Sequence, residues 1–111
     1  MKFVTIKNIT INQGDSLYLT LTKYNEDGDE VGFATTDILK LTVKRNLNQK
    51  TYDIESNNAR IVDGKAIIEL APSQTNIRLG DYYYDIEYKN ENLDKYTLIK
   101  GTLTIEWDVT D

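Results

Sequence analysis

One pattern dominates this chain of 111 residues. Apolar and polar side chains alternate one for one, in short runs broken by turn-forming residues. Leu17, Leu19 and Leu21 alternate with Tyr18, Thr20 and Thr22. Leu39, Leu41 and Val43 alternate with Lys40, Thr42 and Lys44. Ala66, Ile68 and Leu70 alternate with Ile67 and Glu69. Tyr82, Tyr84, Ile86 and Tyr88 alternate with Tyr83, Asp85 and Glu87, and Leu103, Ile105, Trp107 and Val109 with Thr102, Thr104, Glu106 and Asp108. A period of two places one set of side chains in a core and the other in water, the signature of one-sided strands. Helical spacing fits none of these runs. Ile, Val and Thr fill 30 positions, and such β-branched residues suit a pleated, half-buried surface.

The first run is less regular. Val4 and Ile6 keep one phase, Ile9 and Ile11 the other, with the slip at Lys7-Asn8. A one-residue slip inverts a strand unless a bulge absorbs it. The expectation is an edge strand that passes from one sheet to another there.

Turn residues fall where the alternation stops. Gln13-Gly14-Asp15 separates two runs, and Asn25 to Glu30 forms a polar loop around Asp27-Gly28. Asp63-Gly64 predicts a two-residue hairpin, and Lys89 to Lys95 a longer one. Pro72 to Asn76 alone has helical character, enough for a single turn. With no repeat and no linker-like tract, residues 1–111 read as one domain. Short strands with turns every 8–12 residues predict an all-β fold, an antiparallel immunoglobulin-like β-sandwich of seven to nine strands. The Leu79-Gly80-Asp81-Tyr82 sequence favours that fold. It looks like a tyrosine corner, with Gly80 in the turn and Tyr82 bonding back to the preceding backbone. Tyr84 stands where an antibody-type domain has its second Cys. The chain has no Cys, so the sandwich holds without a disulfide, and packing by Tyr82, Tyr84 and their apolar neighbours is expected to take that place. Trp107, on the inward side of the last strand and unlike the third-strand Trp of antibody domains, is expected to be a further structural residue.

Composition narrows the chemistry. Without His or Cys there is no Ser-His-Asp triad, cysteine nucleophile or zinc–thiolate site. Asp85 and Glu87 share an outer strand face, where acids serve solubility more often than glycosidic catalysis. The expectation is a non-enzyme with no cofactor. The formal charge of −5 argues against nucleic acid, whose binding needs clustered Lys and Arg. No run of about 20 apolar residues is present to span a membrane, and Met1 to Asn8 lacks the apolar stretch of a secretory leader. A weak calcium candidate remains in Asn25, Asp27, Asp29 and Glu30, whose spacing misses the EF-hand pattern. Among eight tyrosines, Tyr83 points outward and is the candidate surface contact. Clustered with Tyr18, Tyr24, Tyr52 or Tyr96 it would form a stacking platform.

Taken in order, the motifs resemble a known family. The Gly14-Asp15 turn is followed by the Leu17 strand, the Glu26-Asp27-Gly28-Asp29 loop, Val31-Gly32-Phe33-Ala34 and the Leu39 to Arg45 strand. Asp63-Gly64-Lys65, Leu79 to Ile86 and Gly101 to Thr110 complete the series. This order is similar to Ig-like modules of tailed-phage and prophage structural proteins, with nearest likeness to the N-terminal domain of the phage baseplate upper protein. The resemblance implies a virion component made in the bacterial cytoplasm. It would be a tail-tip or baseplate module acting through protein–protein contacts with other tail or baseplate proteins, and open to homo-oligomer formation in the assembly. The alternative is a carbohydrate-binding domain, for example for cell-wall glycan, or a cell-surface adhesion domain of Ig-like fold. No functional residue set transfers, because the matched positions are turns and core.

Overall fold

The alternating runs build two sheets around one core in the computed structural model, which describes residues 5–6, 8–57 and 59–107. The strands are β1 (Thr5–Ile6), β2 (Ile9–Asn12), β3 (Leu17–Leu21), β4 (Lys23–Tyr24), β5 (Glu30–Val31), β6 (Ile38–Lys44), β7 (Ile54–Ser56), β8 (Arg60–Val62), β9 (Lys65–Leu70), β10 (Gly80–Lys89) and β11 (Lys95–Glu106), with one helical turn, α1 (Pro72–Thr75). The larger sheet has the order β1-β11-β10-β6-β7, and β2 also pairs with β11. The smaller sheet is β3-β9-β8, and β4-β5 is a separate ribbon. Consecutive strands are divided between the two sheets in the immunoglobulin-like manner. The inward sets meet between them. Leu39, Leu41 and Val43, Ala66, Ile68 and Leu70, and Tyr82, Tyr84, Ile86 and Tyr88 are all buried, with Leu103 and Ile105.

Two expectations need correction. The first strand does not change sheets among the described residues. Thr5 pairs with Ile99 and Ile9 with Leu103, so β1 and β2 run parallel to β11 in one unbroken register. At the interruption, Asn8 Oδ1 accepts the Thr102 amide at 3.1 Å, and a side-chain carbonyl stands in for the ladder. A register shift occurs instead in the neighbouring pair: Ile86 opposes Ile99 but Glu87 opposes Thr97, leaving Leu98 as the extra residue. The bulge turns Leu98 into the core, where it is buried. The second correction is Trp107, which is 71% exposed. Its partners run out: Ile105 is the last residue of β11 opposite β10, and Glu106 the last opposite β2. Val4, Lys7 and Val109 lie outside the described residues.

The predicted turns have specific geometry. Asp63 (φ 51°) and Gly64 (φ 77°) are both left-handed, as a two-residue hairpin between Val62 and Lys65 requires. Gly32 crosses directly over this turn. A Cβ on Gly64 would stand 3.1 Å from the Gly32 Cα, and Phe33 N donates to Gly64 O at 2.8 Å. The helical turn α1 fixes the crossing between sheets. Thr75, fully buried, donates its Oγ1 to Asp15 O at 2.6 Å.

The tyrosine corner is formed by Tyr82 Oη, which donates to Arg78 O at 2.6 Å. Arg45 lies across it. Its Nη1 donates to Leu79 O at 3.2 Å, and its guanidinium sits 5.3 Å from the Tyr82 ring centroid. Gly80 has φ +132°, and a Cβ there would meet Arg45 Nη2 at 2.8 Å. So glycine serves both the backbone turn and the seat of the arginine.

Two loops share one design. In Asn25 to Asp29, the Asn25 Oδ1 accepts the amides of Asp27 and Asp29 at 2.9 and 3.0 Å. In Asn90 to Asp94, the Asn90 Oδ1 accepts those of Asn92 and Asp94, both at 3.0 Å. The fourth position is left-handed in each, Gly28 at φ 85° and Leu93 at φ 66°. Leucine is strained there, whereas glycine is not. Leu93, exposed, gives up little packing. Leu93→Gly is therefore expected to raise stability by about 0.5–1 kcal/mol, read as a higher urea midpoint. A lower midpoint would show that Leu93 contributes packing that outweighs the strain.

A charged pair borders the core. Lys23 on β4 lies 3.9 Å from Asp37, with both side chains largely buried. Its Nζ donates to Tyr88 Oη at 3.3 Å and faces the rings of Phe33 and Tyr88 at 5.3 and 5.0 Å. Burial, with the charge and hydrogen bond of Asp37, pushes the Tyr88 phenol up to about 12. Burial raises Tyr84 as well. An acid whose folded pKa exceeds its unfolded value stabilises the fold below the unfolded value, near 10, and loses that contribution as pH rises through the folded value. Stability should therefore fall between pH 10 and about 12 as the Tyr88 phenol ionises. Urea unfolding across pH 9–12 measures it, and Tyr88→Phe should flatten the slope.

Candidate functional site

The outward face of the larger sheet carries the candidate site. Strand register sets it out in rows. Tyr83 on β10 lies between Lys44 on β6 and Thr102 on β11. Asp85 lies between Thr42 and Lys100, and Glu87 between Lys40 and Thr97. Glu55 on β7 extends the middle row beyond Thr42. These side chains point outward because their neighbours in the alternation, Tyr82, Tyr84, Ile86, Leu41 and Val43, fill the core. All of these outward side chains but Thr97 and Glu55, with Leu47 and Tyr52 from the segment between β6 and β7, border an open groove of about 570 Å³.

Polar contacts hold this face in place. Thr42 Oγ1 donates to Asp85 Oδ1 at 2.9 Å. Lys40 Nζ is 3.1 Å from Glu55 Oε1, and that hydrogen bond and charge hold the Lys40 ammonium above its ordinary pKa. Lys40 and Lys44 both approach the Tyr52 ring, at 5.5 and 5.0 Å from its centroid. The segment carrying Tyr52 is itself tied down: Asp53 Oδ2 accepts both Arg45 N at 2.8 Å and Gln49 Nε2 at 2.9 Å. The result is a mixed surface, with aromatic faces at one side and alternating charge across it.

The structure gathers some of the sequence candidates and separates others. Tyr83 and Tyr52 share the groove. Tyr18 is on the other sheet, where its hydroxyl donates to Glu69 at 3.2 Å, and Tyr24 is on the β4-β5 ribbon. Tyr96 stacks on Tyr88 with centroids 6.1 Å apart. In the calcium candidate, the Asn25 oxygen is taken by two amides of its own loop. Among the described residues no three His, Cys, Asp or Glu side chains converge on a metal position. Sequence reading missed Leu47 as a lining residue. It follows a strand end and belongs to no alternating run.

No protein-family model matches this chain, and no curated protein matches it. Among solved structures, it is similar to one from a photo-crosslinking study of multimeric cell-adhesive interactions of VGSC beta subunits. Identity is 16% and the TM-score 0.37, over 91% of this chain and 93% of that one. At that level the likeness assigns neither family nor function. Among the described residues, no helix is long and apolar enough to cross a membrane.

Proposed function

We propose that this domain is a non-enzymatic structural module that works through protein–protein contacts, in the manner of the phage tail-tip and baseplate modules its motifs resemble. The observation that carries the reading is the groove on the larger sheet, where Tyr52, Tyr83 and Leu47 sit beside charges of both signs, Lys40, Lys44 and Lys100 with Asp85 and Glu87. Aromatic anchors within a polar rim characterise binding surfaces. The partner is another tail or baseplate protein, and the domain is a virion component made in the bacterial cytoplasm. Binding to each tail protein of the same phage or prophage tests this. Tyr83→Ala should weaken capture about tenfold or more, while Tyr18→Ala, on the opposite sheet, should not. Failure to bind any tail protein removes the reading.

A second reading is supported by the same groove. Tyr52 and Tyr83 offer faces for stacking sugar rings, with Asp85 and Glu87 as hydrogen-bond acceptors. It makes the domain a cell-wall glycan or surface-adhesion module. Calorimetric titration with wall polysaccharide separates the two, and a flat response eliminates the glycan.

A further inference from the structure

We infer that two copies of this domain dock face to face through the outward surface of the larger sheet, about a two-fold axis running along the strands between β6 and β10. The inference rests on the reading of that surface as an interaction face and names a second copy as its occupant.

Charge arrangement carries the argument. The whole chain is at −5, which opposes self-association. This face is locally neutral, with Lys40, Lys44 and Lys100 matched by Glu55, Asp85 and Glu87. Face-to-face docking on a two-fold axis lying in the interface leaves two simple choices, along the strands or across them. An axis across the strands, through the middle row, sets Lys100 against Lys100 of the second copy, Asp85 against Asp85 and Lys40 against Lys44. Every charged pair on the three central strands then repels or gains nothing. An axis along the strands keeps each row and exchanges β10 with β6 and β11 with β7. The registers Glu87–Lys40, Tyr83–Lys44 and Asp85–Thr42 then recur between copies. Lys100, beside Asp85, falls opposite Glu55 of the second copy, which lies beside Thr42. Each contact occurs twice, as an isologous interface requires. Glu87 meets Lys40, Lys100 meets Glu55, and the Tyr83 ring meets the Lys44 ammonium, a favourable cation–π arrangement. Electrostatics of this kind sets orientation more than affinity.

Area sets the strength. Three strands about seven residues long and β7 of three residues, about 4.8 Å apart, cover roughly 400 Å² per copy, against about 800 Å² for a standard interface. The pairing is therefore weak, with a Kd on the order of 10–1000 μM at low salt, and weaker still as salt screens it.

Trans-complementation tests this. Lys40→Glu and Glu87→Lys are purified separately, their folding is checked by circular dichroism and thermal unfolding, and sedimentation velocity is run on each alone and on the mixture. Each variant alone faces like charge at both copies of the contact and should self-associate at least about tenfold more weakly than the parent. The mixture restores opposite charge at both. The glutamate introduced in one variant faces the lysine introduced in the other, and the retained Glu87 of the first faces the retained Lys40 of the second. A heterodimer of about parental affinity should therefore form. Lys100→Glu with Glu55→Lys repeats the test at a second contact, and serves if either first variant fails to fold. A parent that stays monomeric to about 1 mM at low salt, or a mixture no tighter than its components, overturns the inference. Capture of a tail protein by a monomeric parent would overturn the inference alone. A dimer that captures no tail protein would leave it standing and remove the assembly reading.

Discussion

Replacing Asp37 by Ala is expected to cost about 3 kcal/mol of stability, and adding Lys23→Met to recover much of that loss. Both side chains are largely withdrawn from water. Asp37 Oδ2 also accepts the Ala34 amide at 2.8 Å, so the carboxylate anchors the chain between β5 and β6 as well as answering a charge. Its removal leaves Lys23 with the Tyr88 hydroxyl and two ring faces. Those contacts soften the penalty for a stranded charge, which puts the estimate at the lower end of the roughly 3–5 kcal/mol range for breaking buried pairs. With methionine at position 23 there is no charge left to strand. The remaining cost is the Ala34 amide and the lost hydrogen bond to Tyr88, about 1–2 kcal/mol. Urea unfolding of both single variants and the double closes the cycle. A coupling below about 0.5 kcal/mol would mean the pair does not interact across 3.9 Å.

That cluster also shows where sequence reading stops. Strand faces were legible because a period of two is a local property: Leu39, Leu41 and Val43 declare their side without reference to anything distant. The Asp63-Gly64 turn and the Leu79-Gly80-Asp81-Tyr82 corner are local too. Lys23 and Asp37 are joined only by the fold, which brings the β4-β5 ribbon against Tyr88. Arg45 reads in sequence only as the end of the Leu39 strand, yet it folds over Tyr82 and Leu79, a contact 34 residues away that no spacing encodes. The outward face was half legible. Alternation fixes that Lys40, Thr42, Asp85 and Glu87 point to water, but which residues stand side by side depends on register, and register is a property of pairing. Tyr52 lies outside any run, so its place in the groove came from the structure alone.

The largest single loss is expected at Tyr84. It is 5% exposed on the central strand of the larger sheet, opposite Val43 on one side and Gly101 on the other. Truncation to Ala leaves a cavity in a packed core, at about 3–5 kcal/mol. A domain of this size has about 5–15 kcal/mol in all, and no disulfide here restrains the unfolded chain, a contribution of about 2–4 kcal/mol where one exists. Tyr84→Ala should therefore lower the urea midpoint by about a third or more with the slope unchanged, the sign of lost stability in an unaltered fold. Trp107→Ala is the informative contrast. The alternation places Trp107 on the same side as Leu103 and Ile105, but the ladder ends before it and the ring is 71% exposed. Its truncation should change stability by no more than about 0.5 kcal/mol. Circular dichroism is the suitable probe, since an exposed indole reports little of the core. The opposite ranking, a small loss at Tyr84 and a large one at Trp107, would mean that the larger residue closes the sandwich and that the alternation, followed to its end, had located the core correctly.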